Sequence, residues 1–373
     1  MSAVHDPLDP ETLNGPEARV GFGAADELGP WLDERRYERI FLVAQEPGFT
    51  LSGAKDRLAA ALAGRSLRSF TEFAPNPQWN DAVCGSAALR GFGADAIVAV
   101  GGGSVLDMAK LINALASANG PKPDLLSAPS WDFSHRIPWV AVPTTSGTGA
   151  EATGFAVVYW EGRKYSLAHP ELRPDQALVD PGLTESLPRA LTVATGLDAL
   201  CQGIESWWSK RATPESRRFA RAATQWAWRS LESAAHRPDP TQRLWMARAA
   251  HASGRAIHVS QTTAPHALSY RISSRYGAPH GIAVALTMAP LLAYNTQTVE
   301  EDALGEEGVR AILAALEFRD PDEAETGFRD FLRRLEAPDR LRQVGVEGAA
   351  ALDDLVASVN AQRLANNPRE LDE

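Results

Sequence analysis

What the chain lacks narrows it quickly. Only two of its 373 residues are cysteines, Cys84 and Cys201. Two thiols make no disulfide framework, and such a chain is expected in a reducing compartment. Lysine is scarce, no dense basic block occurs, and the formal net charge is −10, which argues against a nucleic-acid surface. No uninterrupted apolar run is long enough to span a bilayer. The opening MSAVHDPLDPETLNGPEARV has neither the basic start nor the apolar core of a secretory signal. Internal repeats and low-complexity stretches are also missing. A cytoplasmic protein with no nucleic-acid or membrane partner is the expectation. Hydrophobic residues reach 44%, enough for large cores, and the length suits about two domains.

The first half alternates short apolar runs with helical patterns. RIFLVA (39–44), RSFTEFA (68–74), DAIVAV (95–100) and IPWVAV (137–142) read as buried strands. SGAKDRLAAALAG (52–64), NDAVCGSAALRGFGA (80–94) and VLDMAKLINALAS (105–117) read as helices, the first with Ser52 as its N-cap. This alternation predicts a parallel sheet covered by helices. From Leu183 onward the period is helical: LTESLPRALTVATGLDALCQGIESWWS, TPESRRFARAATQWAWRSLESAAH and TQRLWMARAAHASGRAIH follow one another. The boundary is set at 182/183, giving an α/β domain over 1–182 and an all-helical domain over 183–373. Most of the 10 Trp lie in the helical or joining stretches, where packing is their expected role.

Two loops carry chemistry. AIVAVGGGSVLDMAK sets Gly101, Gly102 and Gly103 between a strand and a helix, where backbone N–H groups and the helix dipole suit a phosphate. It is neither G-x-G-x-x-G, since Leu106 replaces the last glycine, nor a P-loop. Asp107 in the first helical turn either compensates the dipole or holds a ligand group. VPTTSGTGAEAT adds the hydroxyls of Thr144, Thr145, Ser146 and Thr148 after another strand, and ligands of parallel sheets bind at strand carboxyl ends.

GGGSVLDMAK, VPTTSGTGAEAT, ALVDP, GLDALCQGIESWWS and HALSYRISSRYGAPHG stand in the order found in the iron-containing (group III) alcohol dehydrogenases, which the chain resembles from about residue 20 to 300. Within that family, DALCQGIESWWS with QTTAPHALSY looks most like the phosphonoacetaldehyde reductases. The resemblance implies a dehydroquinate-synthase-like dinucleotide-binding domain, a helical domain, a cleft between them, and NAD(H)- or NADP(H)-dependent interconversion of alcohol and aldehyde. A homodimer is also implied. Carried over by position, Gly101, Gly102, Gly103 and Ser104 would hold the diphosphate, and Asp107 would approach the nicotinamide. Thr144, Thr145, Ser146 and Thr148 would line adenine, ribose and phosphate. Lys164, Val179, Asn76 and Gln45 match further cofactor positions, and Glu46 beside Gln45 slightly favours NAD.

Family members bind one divalent ion through an aspartate, a histidine one turn later and two further histidines. By resemblance this chain keeps Asp198 and His280 but has Gln202 and Thr262 at the other two places. The stretch RISSRYG reads as an insertion. Residues i and i+4 share a helix face, and imidazole with carboxylate suits Fe or Zn. A glutamine carbonyl is a poor ligand for either, so a degraded metal site is expected. His266, then His280, becomes the expected catalytic proton donor beside Asp198. Gln202, Arg271 and Arg275 are expected substrate contacts, the arginines toward a phosphonate such as phosphonoacetaldehyde, reduced to 2-hydroxyethylphosphonate. Two alternatives are carried: a dehydroquinate-synthase-like lyase, and a cofactor-binding scaffold without activity.

Overall fold

The computed structural model describes residues 8–118, 131–297, 304–359 and 364–371. Its contacts divide the chain into two compact units. Pro10–Thr145 and Gly149–Leu187 form one, while Ser146–Thr148 packs with the residues from Pro188 onward.

The first unit holds eight strands among its described residues: β1 (Ala18–Val20), β2 (Arg39–Ala44), β3 (Ser66–Phe70), β4 (Ala96–Gly101), β5 (Trp139–Pro143), β6 (Phe155–Trp160), β7 (Arg163–Ala168) and β8 (Gln176–Val179). Six of them form one sheet in the order β1-β8-β5-β4-β2-β3, all parallel. Helices α1 (Leu28–Glu34), α2 (Gly48–Leu51), α3 (Ala54–Leu62), α4 (Trp79–Phe92) and α5 (Gly103–Ser117) connect them. Both sheet faces are buried, and the alternation of each strand sorts its residues between two cores. Ile40, Leu42, Val98, Val100 and Val140 pack with Leu28, Leu32 and Leu58 on one face. Phe41, Val43, Ile97, Ala99 and Trp139 pack with Leu89, Met108 and Leu111 on the other.

Three details differ from the sequence expectation. Ser52 does not cap α3. Gly53, at φ 74°, is its N-cap, while Ser52 ends α2 and accepts a hydrogen bond from Ala54 N. The pair β6 and β7 is an antiparallel hairpin that the reading missed, and Lys164 lies on its second strand. The short edge strand β1 was also unread. It ends where the buried Asp180 accepts from Gly23 N, Ala25 N and Gly182 N, which explains the aspartate of ALVDP.

The second unit is helical: α6 (Arg189–Trp208), α7 (Pro214–His236), α8 (Pro240–Ser260), α9 (Ala264–Tyr276), α10 (His280–Thr296), α11 (Gly305–Ala315), α12 (Pro321–Arg334) and α13 (Ala349–Ala357). The starts are written locally. Thr213 and Ser216 form a reciprocal capping box before Pro214, and Asp239 and Asp320 cap α8 and α12, each with proline at the first turn. α6 is buried almost all round, as befits a helix at the centre of its unit. RISSRYG forms the second half of α9, ended by Gly277 at φ 71°. No helix among the described residues is long and apolar enough to cross a membrane.

Candidate active site

Three helices bring together residues that are far apart in sequence. Asp198 lies in the middle of α6, His266 in the first turn of α9, and His280 at the first position of α10. One ligand atom from each falls within 4.8 Å of the others. His266 Nε2 is 3.2 Å from Asp198 Oδ1, and His280 Nε2 is 3.9 Å from it. The two imidazoles meet edge to face with centroids 5.2 Å apart, and Tyr270 stacks over His280. Asp198 and His266 are buried, whereas His280 is 37% exposed. The site therefore has a closed side and an open one.

The feature that sequence reasoning missed is Glu205. It is fully buried, seven residues after Asp198 on the same helix face. It bonds His266 Nδ1, and its other oxygen accepts from Thr263 N at 2.7 Å, Thr263 Oγ1 at 3.0 Å and His266 N at 3.4 Å. A carboxylate behind an imidazole fixes which ring nitrogen faces forward and raises its basicity. The i, i+7 spacing from Asp198 was the available signal. With both ring nitrogens committed to carboxylates, His266 is suited to holding charge in place rather than to delivering a proton.

This arrangement revises the ligand count. Thr262 lies before α9 starts, with its carbonyl accepting from Asn366 Nδ2. His266 stands with Asp198 and His280 instead, so three imidazole or carboxylate groups converge, not two. Gln202, also buried, sits one turn from Asp198 with its carboxamide beside Ser253. This donor set, one carboxylate, two imidazoles and an amide, fits a divalent transition metal.

Without a cation, two carboxylates act on one imidazole. Burial lowers the His266 pKa, but Glu205 and Asp198 outweigh it and lift the group from 6.5 to about 9. A folded pKa above the unfolded one adds stability that is complete below about pH 6.5 and is lost as pH rises through about 9. For chelator-treated protein, urea unfolding should show a loss on the order of 3 kcal/mol across that interval. Divalent-ion affinity should rise over the same interval, because binding displaces the His266 proton. A flat profile in both measurements would contradict this geometry.

The glycine turn is built as expected in the first unit. Gly102 is the N-cap of α5 with no side-chain cap, so the first amides of a four-turn helix point outward. A Cβ at Gly102 would come within 3.3 Å of the Thr145 side chain, and one at Gly101 would collide with Val105. Asn76 adopts φ 63°, and its N–H donates to Ser104 Oγ, which brings those two predicted residues together. Thr144 N donates to Gly101 O. Ser146 and Thr148 belong to the other unit, where Gly147 lies against Thr195. A turn so shaped fits the diphosphate of a dinucleotide.

Other predicted residues have local employment. Asp107 accepts from Val157 N at 2.9 Å and pairs with Lys110 at 3.5 Å. Lys110 is fully buried and donates to Phe155 O and Thr153 Oγ1. Asp107 and Lys110, at i, i+3 on α5, thereby fasten the hairpin that carries Lys164. Gln45 donates to Phe73 O, and the Val179 carbonyl is taken by Gly21 N. Glu46 accepts from Thr50 N and Oγ1 within its own turn. Arg271 and Arg275 both hold Asp354 of α13, drawing its pKa down to about 2. Their charge is directed to docking that helix, which argues against the expected phosphonate contact.

Family models describe this chain almost end to end. Residues 16–181 match the iron-containing alcohol dehydrogenase model, and residues 192–373 match the C-terminal model of the Fe-containing alcohol dehydrogenase family. The chain belongs to the iron-containing alcohol dehydrogenase family. It is an oxidoreductase of that family, and its relatives carry dehydrogenase and reductase names. A phosphonoacetaldehyde reductase of Streptomyces viridochromogenes is 41% identical over 297 residues, covering 76% of this chain and 74% of the relative. A 4-hydroxybutyrate dehydrogenase of Cupriavidus necator is 31% identical over 94% of both chains. Among solved structures, sulfoacetaldehyde reductase from Bifidobacterium kashiwanohense in complex with NAD+ matches with a TM-score of 0.88 and 27% identity, covering 100% of this chain and 96% of that one.

Proposed function

We propose that this dehydrogenase reduces a short aldehyde bearing an anionic group to its alcohol, with NAD(P)H, and that phosphonoacetaldehyde is the first substrate to try. The observation that carries the reading is the convergence of Asp198, His266 and His280, whose ligand atoms lie within 4.8 Å of one another. Phosphonoacetaldehyde, sulfoacetaldehyde and 4-hydroxybutyrate, named in three relatives, all carry an anion at the end away from the reacting carbon.

Asp198, His266 and His280 would hold the divalent ion, Fe or Zn by donor type. Gly101–Gly103, Ser104 and Thr145 would receive the cofactor diphosphate. When bound, the cation supplies positive charge to the developing alkoxide and the nicotinamide supplies the hydride. The chain's own contribution is orientation. Glu205 keeps the Nδ1 side of His266 engaged, so Nε2 faces Asp198. The buried walls around Asp198 exclude water and strengthen every charge interaction there. His280 lies on the open side, where substrate enters. A cytoplasmic setting and a homodimer belong to the same reading, and both described cysteines are free thiols.

Turnover of NADH and NADPH on phosphonoacetaldehyde, sulfoacetaldehyde, succinic semialdehyde and a long-chain aldehyde tests it. Anionic aldehydes should exceed the neutral one in kcat/KM by at least about tenfold, and a chelator should abolish turnover until Fe2+ or Zn2+ is returned. A preference for the long-chain aldehyde would move the substrate toward another relative, the long-chain-alcohol dehydrogenase of Geobacillus thermodenitrificans, 34% identical over 76% of this chain. Turnover unaffected by chelation would remove the metal from the reading.

A further inference from the structure

This inference rests on the reading that Asp198, His266 and His280 hold a divalent ion, and concerns how Gln202 takes part. Ser253 Oγ on α8 lies 2.9 Å from Gln202 Oε1 and 2.8 Å from the carbonyl oxygen of Ala250. Both neighbours are acceptors as placed, and a serine hydroxyl carries one proton. It cannot serve both. Ala250 O, inside α8, already accepts the helix bond of Gly254 N, so the Ser253 proton is free to go to either neighbour, and with Ser253 fully buried and Gln202 nearly so bulk water does not take its place.

The two ends of a carboxamide have nearly the same shape, so turning it over costs no packing. Turned, Gln202 Nε2 donates one proton to Ser253 Oγ and Ser253 donates to Ala250 O. Gln202 Oε1 then faces Asp198. Oxygen against carboxylate is unfavourable unless a cation lies close to both. In the orientation placed here the amide nitrogen meets that need by donating to Asp198, and Ser253 gives its proton to Gln202 instead of Ala250.

We propose that Ser253 is a positioning residue that lets Gln202 change ends with metal occupancy. Without the ion, the amide N–H bonds Asp198. With it, the carbonyl oxygen becomes the fourth ligand and Ser253 accepts from the freed amide. Gln202 is then a working ligand rather than a lost histidine. A methyl group in place of the hydroxyl supports neither end.

Zn2+ affinity, measured by competition with a chromophoric chelator, tests this in four proteins: wild type, Ser253→Ala, Gln202→Glu and the double variant. In the glutamine background Ser253→Ala should weaken Zn2+ by about 10–100-fold. In the Gln202→Glu background its effect should stay within about twofold, because a carboxylate offers oxygen at either end and needs no orienting partner. Equal losses in both backgrounds would mean that Ser253 only packs α8 on α6. No loss in either would mean that the amide is not a ligand. Both outcomes overturn the proposal. Wild type without Zn2+ affinity would overturn the metal reading and this inference with it, and that failure is visible in the parent protein alone. Should Ser253→Ala fail to fold, Ser253→Cys keeps the shape with far weaker donation and acceptance, and the same comparison applies.

Discussion

Replacing His266 with alanine is expected to lower kcat/KM by about 10²–10⁴-fold while cofactor affinity stays within about twofold. The side chain joins two buried carboxylates, one at Nδ1 and one 3.2 Å from Nε2. Its loss removes a proposed ligand and leaves Glu205 facing an empty space. Removing one partner of a buried charge pair costs about 3–5 kcal/mol. Thr263 still donates twice to Glu205, so the low end of that range is expected. Steady-state turnover, NADH titration by protein fluorescence and urea unfolding together separate these effects. Unchanged turnover with cofactor binding intact would show that His266 takes no part in the reaction.

Gly281→Ala should damage the site without touching a side chain in it. A Cβ at residue 281 would come 1.9 Å from Ala194 O and 2.8 Å from Asp198 N. Both are backbone atoms of α6, so no rotamer change relieves the clash and α10 must move away. His280 is the preceding residue and moves with it, off a carboxylate now 3.9 Å distant. A stability loss of about 1–3 kcal/mol and a fall in Zn2+ affinity of about 10–100-fold are expected. Gly91→Ala on α4 is the control. Nothing lies within 4 Å of its added methyl, so helix propensity should leave it neutral or stabilised by up to about 1 kcal/mol. Equal behaviour of the two variants would show that the α6–α10 approach does not set the site.

Much of this was written in local sequence. The parallel sheet followed from runs such as RIFLVA and DAIVAV, which are apolar at every position after the first because both sheet faces are covered. The long helices announced themselves by period, and the structure adds their caps, Thr213, Asp239 and Asp320 before prolines. The hairpin β6–β7 escaped, since FAVVYW and RKYSLA form a two-stranded sheet of their own, tied to α5 through Lys110 and Asp107.

At the site the limit was different. Thr262 was matched to the place of a usual histidine by counting one turn back from His266, which assumes a continuous helix. The chain breaks there: α8 ends at Ser260, Gln261 takes φ 59°, and α9 begins at Ala264. Glu205 holds that break by accepting from Thr263 N. The sequence by itself determined the family, the two-part architecture, the glycine turn and the importance of Asp198, because those depend on order and local period. Only the tertiary structure decided that His266 joins Asp198 and His280, that Glu205 stands behind it, that Gln202 answers to Ser253, and that Arg271 and Arg275 belong to Asp354. Those depend on which helix faces meet across gaps of tens of residues, and meeting is fixed by packing, down to a glycine that lets two backbones touch.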